Sequence, residues 1–193
     1  MLPIGPLMIE HRLIERMINI LKAELEKIEK LKEVNPFFID LSVDFIRTYA
    51  DQTHHGKEED ILFRELKKKK LNSEHLKIMN EIIEEHKFGR KTTKELVEAK
   101  DRYINGEAEA LKVIIERIKT LTNFYPKHIE KEDKHFFIPV MDYFTEKEKE
   151  NMLIEGQIFD RKMIHRKYNH LVNTFEQERD IKAKTEENWI QRM

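Results

Sequence analysis

The chain contains one short pattern twice, and this internal repeat limits what it can fold into. Residues 54–63 align with residues 128–137 at an offset of 74 positions. Upstream of each copy a Glu-His pair, Glu10-His11 and Glu85-His86, repeats at an offset of 75 positions. Four aligned positions are identical and a fifth is acidic in both copies: His54/His128, Lys57/Lys131, Glu58/Glu132, Phe63/Phe137 and Glu59/Asp133. We therefore predict two matching halves.

Both halves carry the periodicity of amphipathic helices. Inward-facing positions recur at alternating steps of three and four in the first stretch, namely Leu7, His11, Ile14, Ile18, Leu21, Leu25 and Ile28. The same steps return in Leu111, Ile114, Ile118, Leu121, Tyr125, His128, Glu132 and His135. Helix breakers and caps fall between such stretches, at Asn35-Pro36, Asn72-Ser73 and Asn105-Gly106. They predict four helices, the second ending near Lys70 and the fourth near Pro139.

Four helices joined by short turns predict an all-α fold. We expect an antiparallel up-down-up-down four-helix bundle over residues 1–144. Residues 145–148 match a capping box, so we expect additional C-terminal helices in an extension over residues 145–193.

Composition excludes several functional classes. The 36 Lys and Arg balance 37 Asp and Glu, which argues against a nucleic-acid partner. The absence of Cys excludes a disulfide framework, a zinc finger and a Cys-ligated iron–sulfur cluster. No apolar run approaches the roughly 20 residues of a membrane span, and the N-terminus lacks the features of a signal peptide. We therefore expect no membrane partner and a cytoplasmic location.

The repeated residues suggest a metal site inside the bundle. His54 and Glu58 are four residues apart, so they face the same side of one helix, and the second copy repeats this spacing. Unpaired carboxylates are costly to bury, and we expect the nearest Lys and Arg on outer faces. A pair of metal ions, each with two imidazoles and with both carboxylates bridging, satisfies all six predicted ligands: His11, His54, Glu58, His86, His128 and Glu132. Ligation by nitrogen and oxygen without sulfur suits iron, manganese or zinc.

Other residues near the repeat are weaker candidates. His55 neighbours His54 and could reach the metal from a slightly rotated helix, while the competing pair of His55 with Glu59 lies on a more polar face. His135 lies on the inward stripe, and His165 could reach the metal from a C-terminal helix. Tyr125 precedes His128 by three residues, where it could donate a hydrogen bond beside the ligands or act as a phenolate ligand.

At these residues the sequence resembles the hemerythrin-like (HHE cation-binding) family. That family has a His, then His-x-x-x-Glu, then a His, then His-x-x-x-Asp/Glu, on four successive helices. The resemblance covers residues 7–140 and implies a non-haem di-iron centre with oxo or hydroxo and carboxylate bridges. It implies terminal ligation by the four matched His and bridging by Glu58 and Glu132. Oxygen carriers of the family have a further His where this chain has Arg90.

The missing His favours relatives that sense iron or oxygen, respond to nitric oxide or repair iron–sulfur clusters. We therefore expect a partner that is a small diatomic molecule or peroxide. The alternative is a helical binding or scaffold module whose metal is purely structural. The extension also permits a homodimer.

Overall fold

The computed structural model describes the backbone of residues 1–178 and the side chains of residues 1–163, 166 and 167. The part of the predicted extension from residue 179 onward lies outside it. The described backbone is all-α and contains no strand. None of its helices combines the length and apolar character needed to cross a membrane.

The first half consists of two helical segments. Helix α1 spans Ile4–Leu31 and ends on Lys32, which has a positive φ of 58°. Helix α2 covers residues 36–66 and starts after Asn35, whose side chain accepts a hydrogen bond from the Phe37 amide. Within α2, an α-helix (Pro36–Phe45) is followed by two π-helical stretches and a last α-helical turn: Ile46–His55, Glu58–Phe63 and Arg64–Leu66. The helix therefore ends four residues before the predicted Lys70.

The second half repeats this plan. Helix α3 spans Ser73–Ile104, capped at its start by the Asn72 side chain. Gly106, with a φ of 91°, supplies the left-handed turn that follows. Helix α4 covers residues 110–140. It consists of an α-helix, a π-helical turn and a final α-helical turn: Ala110–Lys131, Glu132–Phe136 and Phe137–Val140. A 3-10 turn (Met141–Tyr143) follows.

Ion pairs between helices show their relative directions. Asp40 pairs with Lys100, and Asp51, further along α2, pairs with Arg90, nearer the start of α3. Glu85 contacts His128, whereas Glu95 contacts Arg117. Helices α2 and α3, and likewise α3 and α4, therefore run antiparallel, which is compatible with the predicted up-down-up-down bundle.

The helix of the extension, α5 (Glu146–Glu178), runs antiparallel to α2. The predicted capping box is confirmed, because Thr145 accepts from the Glu148 amide and the Glu148 carboxylate accepts from the Thr145 amide. Three ion pairs join α5 to α2, namely Arg64–Glu155, Lys57–Asp160 and Lys167–Asp44, and a fourth joins it to the turn after α2, Lys69–Glu148. The described part thus has one C-terminal helix, and it covers only the first half of the bundle.

Two apolar clusters fill the bundle and leave a polar layer between them. One cluster includes Ile14, Ala50 and Leu121, and the other includes Leu7, Ile61 and Phe136. On each of these three helices the predicted ligands fall between the two residues just named. The packing of the helices therefore fixes the position of the site along the bundle axis.

Candidate metal centre

Seven ionisable side chains meet in the polar layer of the bundle. They are His11 from α1, His54, His55 and Glu58 from α2, His86 from α3, and His128 and Glu132 from α4, and each is at most 2% exposed. The structure therefore brings together all six residues that the repeat singled out, and adds His55.

The donor atoms form two adjacent groups. In one, ligand atoms of His11, His54, Glu58 and Glu132 lie within 4.8 Å of one another. In the other, a nitrogen from each of His55, His86 and His128 lies within the same limit.

The two carboxylates of the first group also contact imidazoles of the second. One Glu58 oxygen is 3.5 Å from His54 Nε2, and the other is 3.2 Å from His86 Nε2. Glu132 Oε2 is 3.1 Å from His11 Nε2, and its Oε1 is 3.3 Å from His128 Nε2. Each carboxylate thus faces imidazoles of both groups, as a bridging ligand must.

Eight buried atoms of these side chains have no hydrogen-bond partner. They are Nε2 of His11, His54, His86 and His128, and both carboxylate oxygens of Glu58 and Glu132. A buried polar atom left unsatisfied costs about 1–3 kcal/mol, and more when it carries a charge. These atoms lie within the two adjacent donor groups or contact them, so cations held there would satisfy them together.

The other ring nitrogen of each imidazole is held by an outer carboxylate. Nδ1 of His11 donates to Asp133 over 2.8 Å, and Nδ1 of His54 donates to Glu10 over 2.9 Å. The remaining contacts are His86 with Glu59 at 2.7 Å, His128 with Glu85 at 2.9 Å and His55 with Asp51 at 3.3 Å. With the hydrogen on Nδ1, each Nε2 presents a lone pair, which is the arrangement of metal-binding His.

Comparison with known families agrees with this geometry. Residues 2–138 match the Hemerythrin HHE cation binding domain. The chain belongs to this family. The match ends before α5 begins. Membership of the family means that this domain of the chain binds cations. Comparison with curated proteins and with solved structures found no match.

His55 enters the centre of this hemerythrin HHE domain because α2 is π-helical there. Its ring stacks on His86 with centroids 3.8 Å apart. The wider turn of a π-helix, whose hydrogen bonds reach five residues back, brings adjacent side chains closer to one face. The competing pair of His55 with Glu59 does not form: Glu59 instead accepts from His86 and from Arg90.

Of the two remaining predicted candidates, only His135 has a described side chain, and it does not join the cluster. His135 is exposed, so its assignment as a ligand is corrected. The π-helical turn Glu132–Phe136 shifts the face of the helix, and buried Phe136 takes the inward position instead. His165 belongs to α5, but its side chain lies outside the described residues.

The electrostatics show that the centre attracts positive charge. Burial alone lowers the pKa of His11, but its hydrogen bond to Asp133 and the negative charge of nearby Glu132 raise it to about 10. Carboxylates, Glu132 and Glu58 foremost, likewise overcome burial and raise the pKa of His86 to about 11. Burial, assisted by His86 and His128, instead lowers the pKa of His55. Protons therefore occupy part of the site when no other cation does.

Sequence reasoning missed the outer residues. Glu10 and Glu85 repeat directly before His11 and His86, so their spacing was a usable signal. Lys57 lies on an outer face of the bundle, as expected for the nearest cations, yet it is only 5% exposed and pairs with Glu10 and Asp160. Lys57 is buried because α5, which lies beyond the repeat, covers this face of α2.

Proposed function

We propose that this hemerythrin HHE domain binds two iron ions and that the centre handles a small diatomic molecule or peroxide, in sensing, detoxification or repair of iron centres. One observation carries the proposal: the eight unsatisfied buried atoms belong to four His and two Glu that face one volume. They come from all four bundle helices.

The residues fit a pair of cations on physical grounds. Two buried carboxylates, both 0% exposed, require compensating charge within hydrogen-bonding distance. Within the described residues the nearest Lys and Arg contact the outer carboxylates instead. Two ions, one near each donor group, with Glu58 and Glu132 between them, would pair every unsatisfied atom.

The donor chemistry narrows the choice of metal, and the family resemblance selects iron. The set contains imidazole nitrogens and carboxylate oxygens, and the chain has no Cys, which leaves iron, manganese and zinc as candidates. We choose iron because the resemblance to hemerythrins implies it. When bound, iron would supply redox chemistry and coordination positions open to a small ligand.

The protein residues have separate roles in this proposal. Glu10, Glu59, Glu85 and Asp133 hold the Nδ1 hydrogen of the four matched His and so fix the direction of each Nε2. Phe137 stacks on His11 with centroids 5.5 Å apart, and Phe63 stacks on His86 at 6.0 Å. These rings exclude water from one side of the centre.

The first test is metal content. Anaerobic purification followed by metal analysis should give about two iron ions per chain. Absorption spectra recorded before and after exposure to air should then show the bands of a coupled ferric pair. His135→Ala, which changes an exposed His, is the matched control and should retain both ions.

Two results would contradict the proposal in different ways. Fewer than two ions in the wild-type chain would reject the dinuclear centre. Two ions that respond to neither air, nitric oxide nor peroxide would support the alternative, a helical module with a structural metal site.

A further inference from the structure

A cavity leads from the surface to one side of the polar layer. It lies between α2, α3 and α4 and has a volume of about 350 Å³ including its mouth. His55 forms part of its wall and is the one residue of the seven-residue cluster that the cavity touches. The cavity beneath α5 has none of the seven clustered residues in its wall.

Tyr125 places an unused hydroxyl group in the wall of the cavity beside His55. The side chain is 2% exposed, and no hydrogen bond joins its hydroxyl to another described residue. Burial, followed by the charge of Asp51, raises the pKa of this phenol, so the hydroxyl keeps its hydrogen at neutral pH. The hydroxyl is not among the fully buried atoms that lack a partner, so it is accessible where Tyr125 lines the cavity and is available to donate to a ligand there.

Charged residues line the mouth of the cavity. Arg90, which is 40% exposed, donates from Nε to Asp51 and from a terminal nitrogen to Glu59, both over 2.7 Å. Asp51 contacts His55 and Glu59 contacts His86, so Arg90 also braces two imidazoles beside the cavity. Arg90 therefore serves the centre from outside, although it occupies the position of a metal ligand in oxygen carriers.

Small residues keep the α3 side of the cavity open. A Cβ added at position 89 would lie 3.4 Å from the Phe124 ring, and Gly89 leaves that space free. Thr93 is 2% exposed and directs its hydroxyl to the Gly89 carbonyl over 2.8 Å, which leaves its methyl group as the apolar part of the wall.

We propose that this cavity is the binding site for a small ligand of two or three heavy atoms, and that the Tyr125 hydroxyl donates a hydrogen bond to it beside His55. The inference rests on the proposed function, because the ligand is the one that the metal centre handles. It further identifies the side of the centre from which the ligand enters. It also identifies Tyr125 as the residue that favours ligands able to accept a hydrogen bond. The opposite side of the centre is covered by α5.

Azide, a linear anion of three atoms, is a suitable probe for the iron-loaded chain. Tyr125→Phe keeps the ring and removes the donor. Loss of one hydrogen bond should weaken azide binding roughly three- to tenfold, measured by absorption titration, while iron content stays unchanged. Thr93→Leu fills the cavity and should slow azide association about tenfold by stopped flow, given the close packing of such walls.

Matched variants on the covered side are the controls. Tyr49→Phe removes a hydroxyl from a half-buried Tyr whose ring stacks on Phe45 rather than facing the cavity. Gly156→Ala adds a methyl group to the cavity beneath α5, 3.9 Å from Lys57. Both should leave the affinity and association rate of azide unchanged.

The outcomes separate this inference from the proposed function. Weaker azide binding in Tyr125→Phe with normal iron content supports it. Unchanged azide binding in both cavity variants, or slower association in Gly156→Ala instead, overturns it and leaves the iron centre in place. An iron-loaded wild type that binds no azide also overturns it. A wild type without iron rejects the proposed function, and this inference with it.

Discussion

The two halves of the bundle build the same site but surround it differently. In the first half Glu10 links His54 to Lys57, and in the second half Glu85 links His128 to Lys131. Each half also supplies a carboxylate to the other, since Glu59 holds His86 and Asp133 holds His11. The repeat therefore includes the outer residues as well as the predicted ligands.

The halves differ where the aligned positions differ. His55 corresponds to Ile129, so only the first half contributes a third imidazole to the opposite donor group. Gly56 corresponds to Glu130, and only Gly56 accepts the close approach of the Phe159 ring from α5. A symmetric pair of halves thus yields one covered side and one side with an open cavity.

The largest loss of bound metal should come from replacing Glu58 or Glu132, the two carboxylates at aligned positions of the two halves. Glu58→Ala and Glu132→Ala should each lower bound iron from about two ions to one or none, because each faces imidazoles of both donor groups. Metal analysis measures the change, and thermal unfolding should show lower stability.

Exposed Glu130 provides the control for this pair, and Glu130→Ala should retain both ions. Full retention of two ions in either carboxylate variant would show that the bridging assignment is wrong.

Replacing the aligned lysines Lys57 and Lys131 should lower the free energy of unfolding by different amounts. Lys57 is 5% exposed and pairs with Glu10 and Asp160, so Lys57→Met should cost about 2–3 kcal/mol of unfolding free energy. Lys131 is 26% exposed, and Lys131→Met should cost about 1 kcal/mol or less. Urea unfolding of the metal-free chain measures both. Equal losses of unfolding free energy in the two variants would mean that α5 adds no stability around Lys57.

Position 56 tests the covering helix directly. In Gly56→Val the new Cβ would lie 2.8 Å from the Phe159 ring, so α5 must move outward. The helix propensity gained by replacing Gly partly offsets the clash, and the global free energy of unfolding should fall by only about 1 kcal/mol. Hydrogen exchange in residues 150–163 should become faster. Glu130→Val, at the aligned position, should leave that exchange unchanged.

The smallest signal is the release of protons on metal binding, to which the halves contribute equally. His11 and His86 have pKa values raised to about 10 and 11, so both are protonated in the metal-free chain at pH 7.5. Binding should release about two protons, seen by calorimetry in buffers of different ionisation enthalpy.

The sign of this pH dependence follows from the raised pKa values. The protonated imidazoles stabilise the metal-free fold fully below about pH 6.5, and this stabilisation is lost as the pH rises through 10. Apparent metal affinity should therefore rise over the same interval. Release that stays at two protons in His86→Ala would contradict the assignment.

Much of the fold was predictable because its signals are local. Asn35 and Asn72 cap helices as their side chains allow, and the capping box at Thr145 forms as its spacing predicts. The inward stripe of α1 is buried at every predicted position. The structure also brings together the predicted four His and two Glu, because both halves have a His and a Glu four residues apart on one helix.

Other features depend on how the helix turns and what packs on it. The π-helical stretches bring His55 into the site and leave His135 outside, and regular α-helical periodicity could not predict either result. Nothing near Lys57 in sequence predicts its burial, because its cover comes from Asp160, about a hundred residues later.

Because spacing along a helix specifies a face, the residues alone were enough to predict the helices, their pairing into two halves and the residue types that converge. Which side of the centre is closed and which is open could not be predicted in this way. That choice depends on contacts between α5 and α2 and on a cavity between three helices, and both are set by packing over long distances in the chain.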